Sequence, residues 1–427
     1  MRQTGEISCN VPTNCYIRKK ASALEPQNHT VKRIITRTIW ILSLVSMFTD
    51  IASEMLYPVM PLFLKQIGFT VIFIGVLEGI AEGVAGLSKP YFGKLSDNKG
   101  KRLPFVQLGY GLSAISKPLM AIFVYPLWIF FARTLDRLGK GIRTGARDAL
   151  LSDEATKETK ATVFGFHRSM DTLGAVFGPA IALVYLYFHP ADYKTLFIIA
   201  FGPGVLAIVC TLLIKEKAKP ADPARLKQKP TNIFGFVAYW KTSSPQYKKL
   251  VTGLLLFALF NSSDVFLLLK MKESGLNDSA VIGVYIFYNF IYALLAYPAG
   301  IIADKLGLKK VFLSGLLIFA VVYTGFAFNN NLIVFIILFA LYGLYAAATE
   351  GISKAWISNI VDKSETATAI GTYTGFQSIA ALLASSICGL LWFNFGGLAT
   401  FLITAGVTLL VIIYLSGYKG ANDSKPS

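Results

Sequence analysis

The sequence predicts an all-α integral membrane protein: twelve transmembrane helices arranged as two related six-helix halves. Composition is the first reason. Of the 427 residues, 54% are hydrophobic and only 15% charged, where soluble domains carry about 25% charged residues. Periodicity is the second. Apolar runs of about 20 residues, long enough to cross a hydrocarbon core of about 30 Å, recur along nearly the whole chain. The third is an internal echo. GKLSDNKGKRLPF at Gly93–Phe105 returns as GIIADKLGLKKVF at Gly300–Phe312, each time after the second span of a half. A fainter echo pairs KGIRTGARDALLSDE at Lys140–Glu154 with EGISKAWISNIVDKSE at Glu350–Glu365. Duplicated halves of this kind imply a site between them.

In chain order the first half holds spans at Thr38–Leu64, Val71–Phe92, Pro104–Tyr125, Leu127–Thr144, Thr162–Phe188 and Tyr193–Ile214. The second holds Leu250–Leu269, Ala280–Ala303, Val311–Phe328, Leu332–Ile357, Ala367–Phe393 and Gly397–Leu415. Pro58 and Pro61 should kink the outer part of the first span, because proline has no N–H for the helical ladder. Residues 38–214 and 250–415 are thus two halves, joined by a flexible basic linker at 215–249 and flanked by tails at 1–37 and 416–427. The first 37 residues are polar and basic with no cleavage-site pattern, so the first span is read as the insertion signal.

Lysine and arginine gather before the first span, after the second and eighth, and in the linker, whereas Asn329–Asn331 and Asn394–Gly397 carry none. The positive-inside rule then puts both termini and the linker in the cytoplasm, under a plasma membrane of the bacterial inner-membrane kind. The net charge of +17 is explained by headgroups and orientation, and no nucleic acid partner is expected. Cys9, Cys15, Cys210, Cys388 and the three histidines show no metal-ligand spacing. With no phosphate-cradling glycine loop and no nucleophile paired to a base, neither a metal, a cofactor nor an enzyme is expected.

One stretch demands an inward-facing environment. RTLDRLGKGIRTGARDALLSD at Arg133–Asp153 begins inside an apolar run, yet Arg133, Asp136, Arg137 and Lys140 follow at helical spacing on one face. Each charge at a bilayer centre costs about 2.5–3.5 kcal/mol on insertion scales, so that face must look at a partner or at internal water. Its continuation, Arg143–Asp153, reads as the cytoplasmic mouth and part of a gate.

At these residues the chain resembles the major facilitator superfamily, over roughly Thr38 to Leu415. Gly93, Leu95, Asp97, Gly100, Lys101 and Arg102 match the family's loop signature, and Gly300, Asp304, Gly307, Lys309 and Lys310 its second copy. The resemblance implies a charge latch that holds the halves together in one state. Arg133, Gly139 and Gly141 match the fourth-span signature, but Asp136 stands where glutamine is usual, and Arg137 and Lys140 replace small residues. Gly165, Gly174, Gly178 and Pro179 resemble a fifth-span pattern of exporting antiporters, with Ala182 and Leu183 in place of its closing glycines. That match implies export.

The family lines its cavity with spans one, four, seven and ten. By that resemblance Asp50, Glu54, Arg133, Arg137, Asp264 and Glu350 are cavity residues. Asp50 and Glu54 are the preferred proton carriers, with Arg133 holding them ionised. Glu78, Glu82, His167 and Asp171 come second. The plain alternative is that most of these charges pair across helices and only fix packing. The tyrosines crowding the eighth span read mostly as lipid-facing or interfacial, with a cavity for an amphipathic molecule as the alternative. The expected function is alternating-access, proton-coupled export of a small organic drug or metabolite by a monomer. A symporter or facilitator importing an organic anion is the first alternative, which the bases of the fourth span would suit. A non-transporting receptor on the same fold is the second.

Overall fold

The computed structural model describes residues 34–57, 59–69, 71–123, 125–216, 235–262 and 264–418. Met1–Ile34 separates from the unit Ile35–Ser427, to which everything below refers. Pro58, the side chains of Pro61, Glu78 and Glu82, the tails and most of the linker lie outside the described residues.

Fourteen helices are described: α1 Arg37–Leu56, α2 Met60–Gln66, α3 Val71–Lys99, α4 Leu103–Ile122, α5 Pro126–Glu154, α6 Lys160–Phe188 and α7 Tyr193–Leu212, then α8 Gly235–Thr242, α9 Pro245–Ala258, α10 Val265–Glu273, α11 Asp278–Leu306, α12 Leu308–Phe328, α13 Leu332–Ile360 and α14 Thr366–Ser416. Local chemistry sets many of the starts. Thr36, Asp192, Ser244, Asn277 and Asn331 accept hydrogen bonds from first-turn N–H groups, and Pro104, Pro126 and Pro245 sit where no N–H is needed.

Among the described residues, seven helices are long and apolar enough to cross a membrane on composition alone: α1, α6, α7, α11, α12, α13 and α14. α14 covers two of the expected spans, with the break at Gly396, whose φ of +77° no side chain adopts cheaply. The others, α3, α4, α5 and the α9–α10 pair, hold charges or a break that face inward.

The first span is two helices, Arg37–Leu56 and Met60–Gln66, interrupted in the outer part where a kink was expected. Two expectations need correction. The seventh is likewise broken, between Ala258 and Val265, freeing backbone beside Asn261 and Asp264. The fourth does not stop at Thr144. α5 runs unbroken to Glu154, and its added turns bury Arg147 and Asp148 against each other and against Lys354 of the other half. Within residues 215–249 the structure holds α8 and the start of α9.

In the first half α1 packs on α6 and α7, and α4 on α5 and α7; in the second α13 packs on α11 and α12, and α12 on α14. The halves meet chiefly through α6 against α11 and α3 against α14. Those crossings are close because glycine lines them. A methyl on Gly165 would strike the Ala296 carbonyl, one on Gly300 the Ala161 carbonyl, and one on Gly93 would come within 2.5 Å of the Ala367 carbonyl.

Candidate functional site

A cavity of about 400 Å³ lies between the halves. α1 contributes Asp50, Ser53 and Glu54, α3 Lys89, and α6 Arg168, Asp171 and Thr172. α5 supplies a stripe, Asp136, Arg137, Lys140, Arg143, Thr144 and Arg147, whose three- and four-residue steps keep one helical face to the cavity. The other half answers with Asp264 at the helix break, Tyr285, Tyr288, Asn289 and Tyr292 on α11, and Glu350 and Lys354 on α13. Seven bases and six acids therefore line one space.

Several of these charges pair. Asp136 is held by Lys117 at 2.8 Å and Arg133 at 3.8 Å. Arg147 (2.9 Å) and Lys354 (2.8 Å) both reach Asp148, and the second of these pairs spans the halves. Asp171 accepts from Ser46 at 2.6 Å and Arg168 at 2.8 Å, while Arg168 also donates to the hydroxyl of Tyr292 across the interface. The Asp50 carboxyl lies beside that of Asp171 in the cavity wall, two acids facing one another. Gly174 makes this approach possible: a methyl there would lie 2.8 Å from the Asp50 Cβ and 2.6 Å from the Met47 carbonyl. Gly178 does the same one turn on, against Ile51 and Met55. The two glycines read as an export motif are contact points between α1 and α6.

Below the cavity, at the end carrying the basic loops, two aspartates join the halves. Asp97, at the end of α3, accepts from the N–H and hydroxyl of Thr368 in the first turn of α14, both at 2.7 Å. Asp304, at the end of α11, accepts from the N–H groups of Ala161 (3.0 Å) and Thr162 (2.6 Å) in the first turn of α6. First-turn N–H groups have no acceptor in their own helix and carry the positive end of its dipole. Each carboxylate thus caps a helix of the other half. Arg102 adds a clasp: it binds Asp97 at 3.2 Å, Asp153 at 3.1 Å and the Lys363 carbonyl at 2.9 Å. Burial pushes the Asp97 carboxyl up to about 6 against the pull of Arg102 and Thr368. Gly100 turns the chain here with φ +63°, a conformation that glycine adopts without strain.

The model of the Major Facilitator Superfamily matches residues 42–289 and 265–426, so all but the ends of the chain are accounted for. This chain belongs to that superfamily. It is 31% identical over 382 residues to an uncharacterised MFS-type transporter of Methanocaldococcus jannaschii, covering 88% of this chain and 94% of that one. It is 24% identical over 379 residues to the multidrug resistance protein MdtG of Escherichia coli, covering 86% and 90%. In structure it resembles the human organic anion transporter MFSD10 (TM-score 0.77, 15% identity, 89% of this chain and 99% of that one). It also resembles FucP in the outward conformation (TM-score 0.73, 12% identity, 91% and 100%). Both likenesses support the twelve-helix fold. The protein is a multi-pass membrane protein and a secondary transporter of small molecules, not an enzyme.

The structure brings Asp50, Glu54, Asp136, Arg137, Asp264 and Glu350 to one cavity. It puts Arg133 elsewhere: Arg133 is buried with Asp136, and the bases whose charge acts on Glu54 are Lys140, Arg137 and Arg168. The partner of Asp50 is an acid, Asp171. Asp264 accepts from Tyr342 at 2.7 Å. Of Arg143–Asp153, read as the mouth, Arg143 and Arg147 line the cavity and only Asp153 reaches the latch. Tyr285, Tyr288 and Tyr292 face the cavity and not lipid, a signal present in their spacing but masked by the apolar residues between them. His167 is buried beside Arg147, Asp171 and Asp148. Lys89 was missed, as a lone lysine near a helix end. Glu78 and Glu82 lie outside the described side chains. Gly100 serves the turn, Gly93 and Gly300 the closure, and Lys101 is exposed. Pro179 lies inside α6, one residue past the Gly178 contact.

Proposed function

We propose that the chain is a proton-coupled transporter of a small organic solute, and that proton and solute cross together. One observation carries the reading: Asp50 and Asp171 set two acids side by side in the cavity wall. Like charges placed together away from bulk water are relieved when one of the pair takes up a proton. The charged groups around this pair are Glu54 on α1, Lys140 and Arg147 on α5, and His167 and Arg168 on α6. With that proton aboard, seven bases face the five other carboxyl groups of the cavity lining. A cationic solute would compete with the proton, whereas a neutral or anionic one would not. The basic end is read as cytoplasmic, so the state described is shut toward the cytoplasm by the Asp97 and Asp304 caps and loads from outside.

A second reading, export in exchange for protons, is favoured by the relationship to MdtG. Proteoliposomes loaded with a pH dye separate the two. Organic acids, amines and sugars are added outside one at a time. Cotransport acidifies the lumen as the solute enters; exchange makes it alkaline. Asp50→Asn should abolish proton movement while leaving solute counterflow. Wild-type proton movement in both Asp50→Asn and Asp171→Asn would end the proposal.

A further inference from the structure

We infer that the solute is a planar organic anion, its acidic group held by Lys140 and Arg143 and its ring laid on Tyr285 and Tyr288. The inference rests on the transport reading and names the class of solute for the same cavity. Other bases of the cavity are engaged: Arg147 and Lys354 with Asp148, Arg168 with Asp171, and Lys89 with the Ser378 hydroxyl. Lys140 instead reaches exposed into the cavity, with Glu54 and Asp50 as the acids whose charge it feels. Arg143 is 5% exposed, donates to Ser113 at 2.7 Å and lies 4.5 Å over the ring of Tyr110. Its Nε has no acceptor among the described residues. A buried guanidinium fixed on two sides with a donor left over is a seat for a carboxylate, sulfonate or similar group.

The facing wall is aromatic. Tyr285, Tyr288 and Tyr292 follow at three- and four-residue steps with Asn289 among them, on one face of α11. Tyr288 is backed by Tyr342 at 5.0 Å, so its ring is held in place. Fixed rings favour offset stacking with a flat aromatic body. A volume of about 400 Å³ sits at the small end of ligand pockets, which run from about 300 to 1,000 Å³. One or two rings fit; a large amphiphile does not.

The test uses 2-naphthoate, its amide 2-naphthamide, and acetate, with binding to the purified full chain read by calorimetry. The acid should bind, and the amide and acetate should bind about tenfold or more weaker. Lys140→Gln and Arg143→Gln should each weaken 2-naphthoate about tenfold or more, and Lys140→Arg should retain it. Lys140 is exposed, so its variants fold even if Arg143→Gln does not. Tyr285→Leu should weaken 2-naphthoate and leave acetate unchanged. Equal binding of acid and amide, unchanged affinity in Lys140→Gln, or no binding by any probe overturns the inference. Binding is read without a gradient. Intact 2-naphthoate binding with unaltered proton movement in both Asp50→Asn and Asp171→Asn would therefore end the coupling reading and leave this one standing.

Discussion

Replacing Lys354 by alanine should unlock the closed end of the protein. Asp148 is 1% exposed, with Lys354 at 2.8 Å on one oxygen and Arg147 at 2.9 Å on the other. Removing one partner of a buried ion pair costs about 3–5 kcal/mol, because the remaining charge is stranded. Two facts lower that figure here. Arg147 keeps half of the carboxylate, and the Lys354 side chain is 20% exposed, so water can replace it in part. About 2 kcal/mol is a fair value. Asp148 and Lys354 belong to opposite halves, so the cost falls on the closed state alone. Once the halves part, Asp148 regains water. The equilibrium between closed and open should then move about thirtyfold toward open. Spin labels at Glu158 and Asp362, both exposed and in opposite halves, report this as double electron–electron resonance distances. Wild type should give a short, narrow distribution and Lys354→Ala a longer second population, with Asp148→Asn recovering part of the closed form in the double variant. An unchanged distribution in Lys354→Ala would refute the reasoning.

Two further predictions use the same labels. Gly300→Ala drives a methyl into the Ala161 carbonyl across the interface, an overpacking worth about 1–3 kcal/mol that lengthens the measured distance. Gly174→Ala makes a similar clash inside one half, against Met47, so it should lower the melting temperature and leave the distances alone. The Asp97 carboxyl, held up to about 6 in the closed state against an ordinary 3.8, makes closure pH-sensitive. A carboxyl raised on closing favours the closed form fully below its open-state value, and that support is lost as pH rises through about 6, by roughly 3 kcal/mol in all. Acidification from pH 7 to 5 should therefore close this end, and Asp97→Asn should remove that part of the response. A closed population that grows with rising pH would contradict it.

Much of this protein was open to reading in one dimension. Spans, repeat and family signatures are statements about residue type and period, and lipid enforces them strictly: a segment without water must satisfy its own backbone and keep charge off its outer face. That is why α5 could be recognised from Arg133, Asp136, Arg137 and Lys140 as a helix looking inward. Where a rule depended on the neighbour, the sequence was silent or misleading. The resemblance implied that Asp97 and Asp304 belong to a latch between the halves, but not what they hold: they cap helices about 270 and 140 residues away. Arg133 sat at the expected place for a partner to Asp50, yet Asp50 meets Asp171, because Gly174 draws α6 against α1. Helix identity and inward polarity follow from local chemistry and the membrane. Which charge meets which is decided by the crossing of helices, and one missing methyl can reassign it.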